Sequence, residues 1–278
     1  TVSFAPLIFL LSAACIILLV RRVFRIDRYH GPADSIYAAH KQGNDLDLKS
    51  GFGSTLTAFI SASGGASVGQ YGPLVHFGAI IGCALKRLTG GLISTDIFIG
   101  CGVAGAIAAG FNAPLAGIVF AHEVILRHYS SRAIAPIAMS SITAAGVSHW
   151  AIGDRLLFNI TAAPAVSFTD LLPAVLLISP VFALVAIYFM LTLRASTHLA
   201  ATSRFSSESL LLTAALVCGL TGMFVPEILG FGTNAINNMF AGQFDFQYLF
   251  VLLAGKIAMT AVCVGFGLFG GVVLPALF

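Results

Sequence analysis

Ser61-Ala-Ser-Gly-Gly-Ala-Ser-Val-Gly-Gln-Tyr-Gly-Pro-Leu-Val-His-Phe-Gly78 lies inside an apolar tract, residues 56–84, that glycines and a proline cut in two. Gly69, Gly72 and Pro73 stand directly before an apolar run of helical length. Proline in a first helical turn presets φ, and glycine lets the backbone adopt tight geometry with no side chain in the way. The amides ahead of such a helix are unpaired donors, and the helix dipole adds partial positive charge there. That combination can bind an anion with backbone alone, needing neither Lys nor Arg. Taken alone, close packing of membrane helices explains these glycines better.

Two further stretches repeat the pattern. In Gly265-Phe-Gly-Leu-Phe-Gly-Gly-Val-Val-Leu-Pro275, Gly270 and Gly271 lead into Val272, Val273 and a proline. This is a second loop-to-helix start with free amides, and two of them in separate halves of the chain strengthen the anion reading. The third stretch runs Gly102-Val-Ala-Gly-Ala-Ile-Ala-Ala-Gly-Phe-Asn-Ala-Pro-Leu-Ala-Gly-Ile-Val-Phe-Ala-His-Glu123. Here Asn112 caps a helix that begins at Pro114. His122 and Glu123 fall well inside that helix. A carboxylate at membrane depth is a functional candidate, though a buried hydrogen-bonding group explains Glu123 better.

The rest of the chain sets these segments in a membrane. Of 278 residues 58% are hydrophobic and 9% charged, with mean hydropathy +0.97. Soluble domains carry about 25% charged residues, and a surface this apolar would aggregate in water. Apolar tracts occupy residues 4–20, 56–84, 97–124, 134–152, 171–193, 210–224 and 248–278. Several are long enough for about 30 Å of hydrocarbon. Irregular backbone at that depth survives only where it is buried in protein or lines a polar cavity, and interrupted apolar segments mark transport sites. Each half of the chain has such an interruption, which predicts two repeats with the site between them. The pattern also predicts a short helix at 33–40, a loop over 154–169 and a helix over 210–224 capped by Ser207.

Charge and composition narrow the function further. A net charge of +3 gives no footprint for a nucleic-acid partner. Basic residues gather at tract ends (Arg21, Arg22, Arg25, Arg28; Lys86, Arg87; Arg127, Arg132), as interfacial anchors do. The five cysteines sit inside apolar tracts without CxxC spacing and read as small packing residues. The histidines have no metal-ligand spacing and no nucleophile–base motif is present, so neither an enzyme nor a metal or organic cofactor is expected. His76 reads as a packed, hydrogen-bonded side chain. With no initiator Met and an end inside an apolar run, the chain reads as a piece of a larger membrane domain.

Together the segments resemble the CLC family of chloride channels and chloride/proton antiporters. Gly69-Gln-Tyr-Gly-Pro73 resembles the family's G-[KR]-E-G-P motif. The run from Phe111 follows F-N-A-P-L-A-G-I-x-F-x-x-E closely, and Gly270-Gly-Val-Val-Leu-Pro275 resembles G-x-F-x-P. Gly219-Leu-Thr-Gly-Met-Phe-Val-Pro-Glu-Ile-Leu-Gly-Phe-Gly232 matches the region between. The resemblance implies an all-α polytopic membrane protein with an inverted-repeat fold of tilted, broken and re-entrant helices. The first repeat would cover about 1–152 and the second about 168–278, with the family's closing helices, and a tyrosine that contacts the central anion, missing. It implies anion binding by the backbone amides of Gly69, Gln70, Tyr71, Gly72, Gly271, Val272 and Val273. It also implies a homodimer through helices at about 112–126 and 134–150, in the bacterial inner membrane.

Departures from the family pattern fall at informative places. The gating glutamate aligns with Tyr71, whose phenol stays neutral at pH 7 with a pKa of about 10. The antiporters' proton-relay glutamate aligns with Val124, which leaves Glu123 and His122 as titratable alternatives beside it. Tyr29-His30-Gly31-Pro32 takes the place of the serine-bearing G-S-G-I-P motif, and Val273 replaces a phenylalanine. Three readings follow: passive conduction of chloride or a similar anion, anion/proton exchange through Glu123 or His122, or a non-transporting sensor or scaffold.

Overall fold

The tracts cut by glycine and proline become pairs of helices that meet end to end. The computed structural model describes residues 3–41, 46–90, 93–153, 158 and 167–278. Along the chain run α1 (Ala5–Phe24), α2 (Pro32–His40), α3 (Leu48–Ser63), α4 (Tyr71–Thr89), α5 (Thr95–Phe111) and α6 (Pro114–Phe120). They are followed by α7 (Ser131–Ile152), α8 (Phe168–Thr202), α9 (Ser207–Phe224), α10 (Thr233–Phe240), α11 (Phe246–Gly265) and α12 (Val273–Leu277). A π-helical turn, Ala121–Leu126, prolongs α6, and a 3-10 turn, Pro226–Ile228, follows α9. Most of the expected loop at 154–169 lies outside the described residues.

Local chemistry accounts for the boundaries. Pro6 sits in the first turn of α1, and Arg25 ends it in the left-handed conformation, with Arg21 and Arg22 beside the exposed carbonyls. The Asp47 carboxylate caps α3 by accepting the Lys49 N–H at 3.0 Å. Two sequence expectations are corrected here. Ser206 caps α9 by accepting the Ser209 N–H at 3.2 Å, and Ser207 is the first helical residue. Asn112 closes α5 at φ 53°, so it ends one helix instead of capping the next.

Among the described residues, four helices are long and apolar enough to cross a membrane: α1, α9, α11 and residues Leu171–Thr202 of α8. The 22-residue α7 is of comparable length, with Pro136 in its interior. By contrast α5 spans only about 26 Å at 1.5 Å per residue before it breaks. Its partner α4 packs so closely that a Cβ on Gly78 or on Gly102 would overlap the other's carbonyl. Hydroxyls tie α7 to this pair: Ser140 donates to the Cys101 carbonyl (2.8 Å) and Ser141 to the Pro114 carbonyl (2.7 Å).

The two largest apolar clusters among the described residues each join several helices. Leu10, Ala14 and Ile17 of α1 meet Leu211, Ala214, Ala215 and Cys218 of α9 and Cys263 of α11. Val75, Ala79 and Cys83 of α4 meet Ile99, Val103 and Ile107 of α5. Cys83, Cys218 and Cys263 are buried as packing residues, Cys101 is partly buried, and Cys15 is exposed, so the packing reading does not extend to Cys15. The long α8 packs chiefly on α11 and turns large apolar side chains outward, Leu177 at 75% and Phe182 at 69% exposure among them. Water would make that face an aggregation surface; hydrocarbon makes it ordinary.

Candidate anion-binding site

The starts of α4 and α12 lie against each other although some 200 residues separate them in sequence. Gly69 and Gly271 exchange both backbone hydrogen bonds, each 2.6 Å long, as an isolated antiparallel bridge. Glycine is needed for that approach. A Cβ on Gly271 would stand 3.1 Å from the Gly72 nitrogen, and one on Gly270 would strike the Val68 side chain at 2.5 Å. The start of α2 joins them, for a Cβ on Gly72 would touch Pro32 Cγ at 3.6 Å.

The bridge changes the donor set expected from sequence. The N–H groups of Gly69 and Gly271 are engaged with each other's carbonyl, so neither is free to bind an anion. Donors of the first helical turns remain: Gln70, Tyr71 and Gly72 on one side, Val272 and Val273 on the other. Pro73 and Pro275 have no N–H, which limits each set to the residues at the mouth. The bridge thereby holds two donor groups at a fixed spacing.

Tyr71 is docked away from those amides. Its ring stacks on Phe111 at the end of α5, with centroids 3.6 Å apart and planes 19° from parallel. Its hydroxyl donates to the Gly110 carbonyl at 3.1 Å, and the residue is 4% exposed. The seat depends on Gly110: a Cβ there would meet Tyr71 Cε1 at 3.1 Å and Leu74 Cδ2 at 2.7 Å. The stacking and the hydrogen bond supply what a carboxylate would have lacked, since an ionised acid has no proton to donate to a carbonyl.

The segment Tyr29–Pro32 does reach the site region. The His30 N–H donates to Ser54 Oγ (3.2 Å), and the Tyr29 ring lies on Phe269, 5.2 Å between centroids, next to Gly270. Burial above all, with the Asp34 charge added, raises the Tyr29 pKa and keeps its hydroxyl protonated. Asp34 Oδ2 accepts the Gly31 N–H (2.9 Å), and Asp34 Oδ1 accepts from Arg28 (2.7 Å). Partial burial raises the Asp34 pKa, but these hydrogen bonds and the Arg28 charge outweigh it and hold the carboxyl below its ordinary range. His76, as expected, is buried and hydrogen-bonded, its Nδ1 2.8 Å from Ser35 Oγ.

His122, Glu123 and Val124 occupy the π-helical turn, which packs mainly on α2, α5 and α6. His122 is 1% exposed, with Nδ1 3.2 Å from the His128 carbonyl and its ring stacked on Tyr129. Glu123 is exposed and accepts the Tyr129 hydroxyl at 3.1 Å. Val124 is exposed as well. The structure does not bring these three to the Gly69–Gly271 bridge.

One residue passed over in the sequence stands out in the structure. Lys256 of α11 is 1% exposed, and its Nζ donates to the carbonyls of Ile228 (3.0 Å) and Gly230 (2.8 Å). It thus fixes the turn that leads into α10. The signal was legible, since Lys256 is the single charged residue of the apolar tract 248–278. Beyond that turn α10 helps to enclose a cavity of about 460 Å³ whose lining includes Gln70, Tyr71, Asn112, Thr233, Asn234 and Leu274.

A bundle of membrane-length helices surrounding broken helices whose starts converge is the architecture of a membrane transport protein. Comparison with known proteins gives the particular family. The family model described as voltage gated chloride channel matches residues 12–278, and the chain belongs to that family, the CLC proteins. It is 27% identical over 227 residues to a putative chloride channel protein ClcB-like of Ralstonia nicotianae, covering 80% of this chain and 53% of that protein. It is 26% identical over 273 residues to the voltage-gated ClC-type chloride channel ClcB of Escherichia coli, covering 96% of this chain and 63% of that protein. The chain therefore spans a little over half to under two thirds of these relatives.

Solved structures agree on the fold. A slow cyanobacterial Cl-/H+ antiporter superposes with TM-score 0.82 at 20% identity, over 97% of this chain and 65% of that one. A CLC-type fluoride/proton antiporter gives 0.71 at 21% identity, over 99% and 77%.

Proposed function

We propose that the full-length protein conducts chloride, or a similar small monovalent anion, passively across the bacterial inner membrane and without stoichiometric proton exchange. The observation that carries this reading is Tyr71, a phenol in place of an acid, seated on Phe111 and Gly110 beside the helix-start amides. Backbone donors at the Gln70–Gly72 and Val272–Val273 starts would replace part of the anion's hydration shell. No cofactor enters this scheme. Relatives named as chloride channels support the choice of anion. The antiparallel pairing of one helix start from each half of the chain supports two repeats, about 1–152 and 168–278, with the site between them.

We further propose a homodimer through helices at 112–126 and 134–150. Leu115, Met139 and Ile142 on those helices are 77%, 70% and 60% exposed, an apolar face suited to a second copy or to lipid.

The test is chloride efflux from liposomes holding the full-length protein, with Tyr71→Glu alongside. Flux in the parent that falls sharply at neutral pH in the variant supports the reading, and absence of flux in the parent refutes it. A second reading, anion/proton exchange, draws on His122, whose buried Nε2 has no hydrogen-bond partner among the described residues, and on its neighbour Glu123. Under that reading Glu123→Gln abolishes proton movement.

A further inference from the structure

The arginines at the end of α1, which the anion site leaves unused, line a cavity of about 440 Å³. Arg21, Arg22 and Arg25 share it with Asp27 and with Glu208 from the first turn of α9. A tight turn puts them there. Arg25 is left-handed at φ 54°, and the Ile26 N–H donates back to the Arg21 carbonyl at 3.0 Å. That closure satisfies a free carbonyl of the helix end and folds residues 25–27 back onto it.

The three guanidiniums are engaged unequally. Arg22 is paired, its Nη2 3.1 Å from Glu208 Oε1. Arg21 donates to the Ser207 hydroxyl at 3.1 Å and lies over the Phe269 ring, 5.6 Å from its centroid, and neither partner is charged. Arg25 makes no hydrogen bond or ion pair with another described residue. Against three arginines the described lining sets two carboxylates, so one positive charge is left over. The start of α9 adds partial positive charge at the same place. A phosphate diester carries one negative charge, and guanidinium forks grip its oxygens through paired N–H bonds.

The place of the cavity points to a lipid as the source of that phosphate. The 20 residues of α1 make about 30 Å at 1.5 Å per residue, so its arginine end falls at the headgroup level. Leu19 and Val23, flanking Arg22, are 63% and 61% exposed and give acyl chains an apolar strip to lie on. Basic pockets between transmembrane helices at that depth hold anionic headgroups. We propose that this cavity binds the phosphate of an anionic phospholipid, with Arg21 and Arg25 as the gripping pair and Glu208 as the group that limits affinity. Soluble phosphate offers the same oxygens but has no use for the apolar strip. The proposal does not depend on whether the protein conducts chloride.

The experiment places the full-length protein in nanodiscs of equal parts phosphatidylcholine and phosphatidylglycerol, and native mass spectrometry counts the lipids each copy retains. The parent should retain phosphatidylglycerol in preference. Arg21→Gln with Arg25→Gln should lower that preference about tenfold, and Arg25→Gln alone, which breaks no contact among the described residues, about threefold. Glu208→Gln should raise it about two- to threefold, because it removes the competing carboxylate. A monodisperse size-exclusion peak verifies that each variant folds. Arg127→Gln with Arg132→Gln is an equal loss of charge at two exposed arginines of another tract end, and should change the preference less than about twofold. Equal losses in the two double variants would overturn the site, since they report general attraction to the bilayer surface. A second arm titrates inorganic phosphate calorimetrically into the protein in phosphatidylcholine nanodiscs. Phosphate binding that the Arg21→Gln, Arg25→Gln variant abolishes, with no phosphatidylglycerol preference in the parent, would overturn the lipid as source. Neither lipid preference nor phosphate binding in the parent would overturn the site itself.

Discussion

At position 71 a phenol sits where the family pattern has a carboxylic acid, and its surroundings are shaped for a ring. Phe111 supplies the stacking face, Gly110 the space and the acceptor. Tyr71→Glu puts an acid of pKa about 4.3 beside the free amides, where its anion competes with chloride. Efflux should fall about tenfold at pH 7 and recover as the carboxyl is protonated below about pH 5; a pH series on liposomes reads this. Gly110→Val should overpack the seat at a cost of about 1–3 kcal/mol. Thermal unfolding in detergent measures that loss, and Tyr71→Ala in the same chain should return part of it. Asp34 gives a pH dependence of the opposite kind. Its carboxyl titrates below the ordinary range when folded, so its stabilisation of the α2 start is complete above about pH 4 and disappears as pH falls through the lowered value. Hydrogen exchange in α2 should rise on acidification in the parent, and be high at both pH values in Asp34→Asn.

At the scale of elements, sequence reading was good where the physics is local and poor where it is not. The interruptions in tracts 56–84 and 97–124 announced helix pairs, and α3–α4 and α5–α6 are those pairs. Proline and glycine act within a few residues, so their pattern is visible in one chain. The bridge between Gly69 and Gly271 was invisible, because nothing local says which distant backbone a glycine will meet. Two of the expected anion donors were lost to it for that reason. Ser206 and Ser207 are equally good caps by type, and only the backbone turn decides between them. Asn112 suits a left-handed helix end as well as a cap, and the broken tract called for both. The α4–α5 contact yields a prediction of its own. Gly102→Val drives a side chain into the Gly78 carbonyl, where backbone must give way. Destabilisation of about 3 kcal/mol or more is expected, read as loss of the monodisperse detergent-solubilised peak, whereas Gly146→Ala, with open space around it, should be neutral.

For the whole molecule, composition was enough to call for a bilayer, and the exposed apolar faces of α1, α7 and α8 agree with it. What composition could not supply was the convergence of α2, α4 and α12 on one point, and of α10 on the cavity beside it. Those placements depend on packing across the whole bundle. Lys256 illustrates the difference: its charge was visible in the tract, but its task of fixing the Ile228–Gly230 turn required the fold. The proposed function is an anion path that persists without proton coupling, because Tyr71 and Val124 cannot carry protons at physiological pH. Proton movement driven by an outward chloride gradient, followed with a pH-sensitive dye in liposomes holding the full-length protein, tests it most directly. Chloride efflux with no proton movement beyond that of empty liposomes treated alike is the expected result. Proton transport against its own gradient, in fixed ratio to chloride, would contradict it.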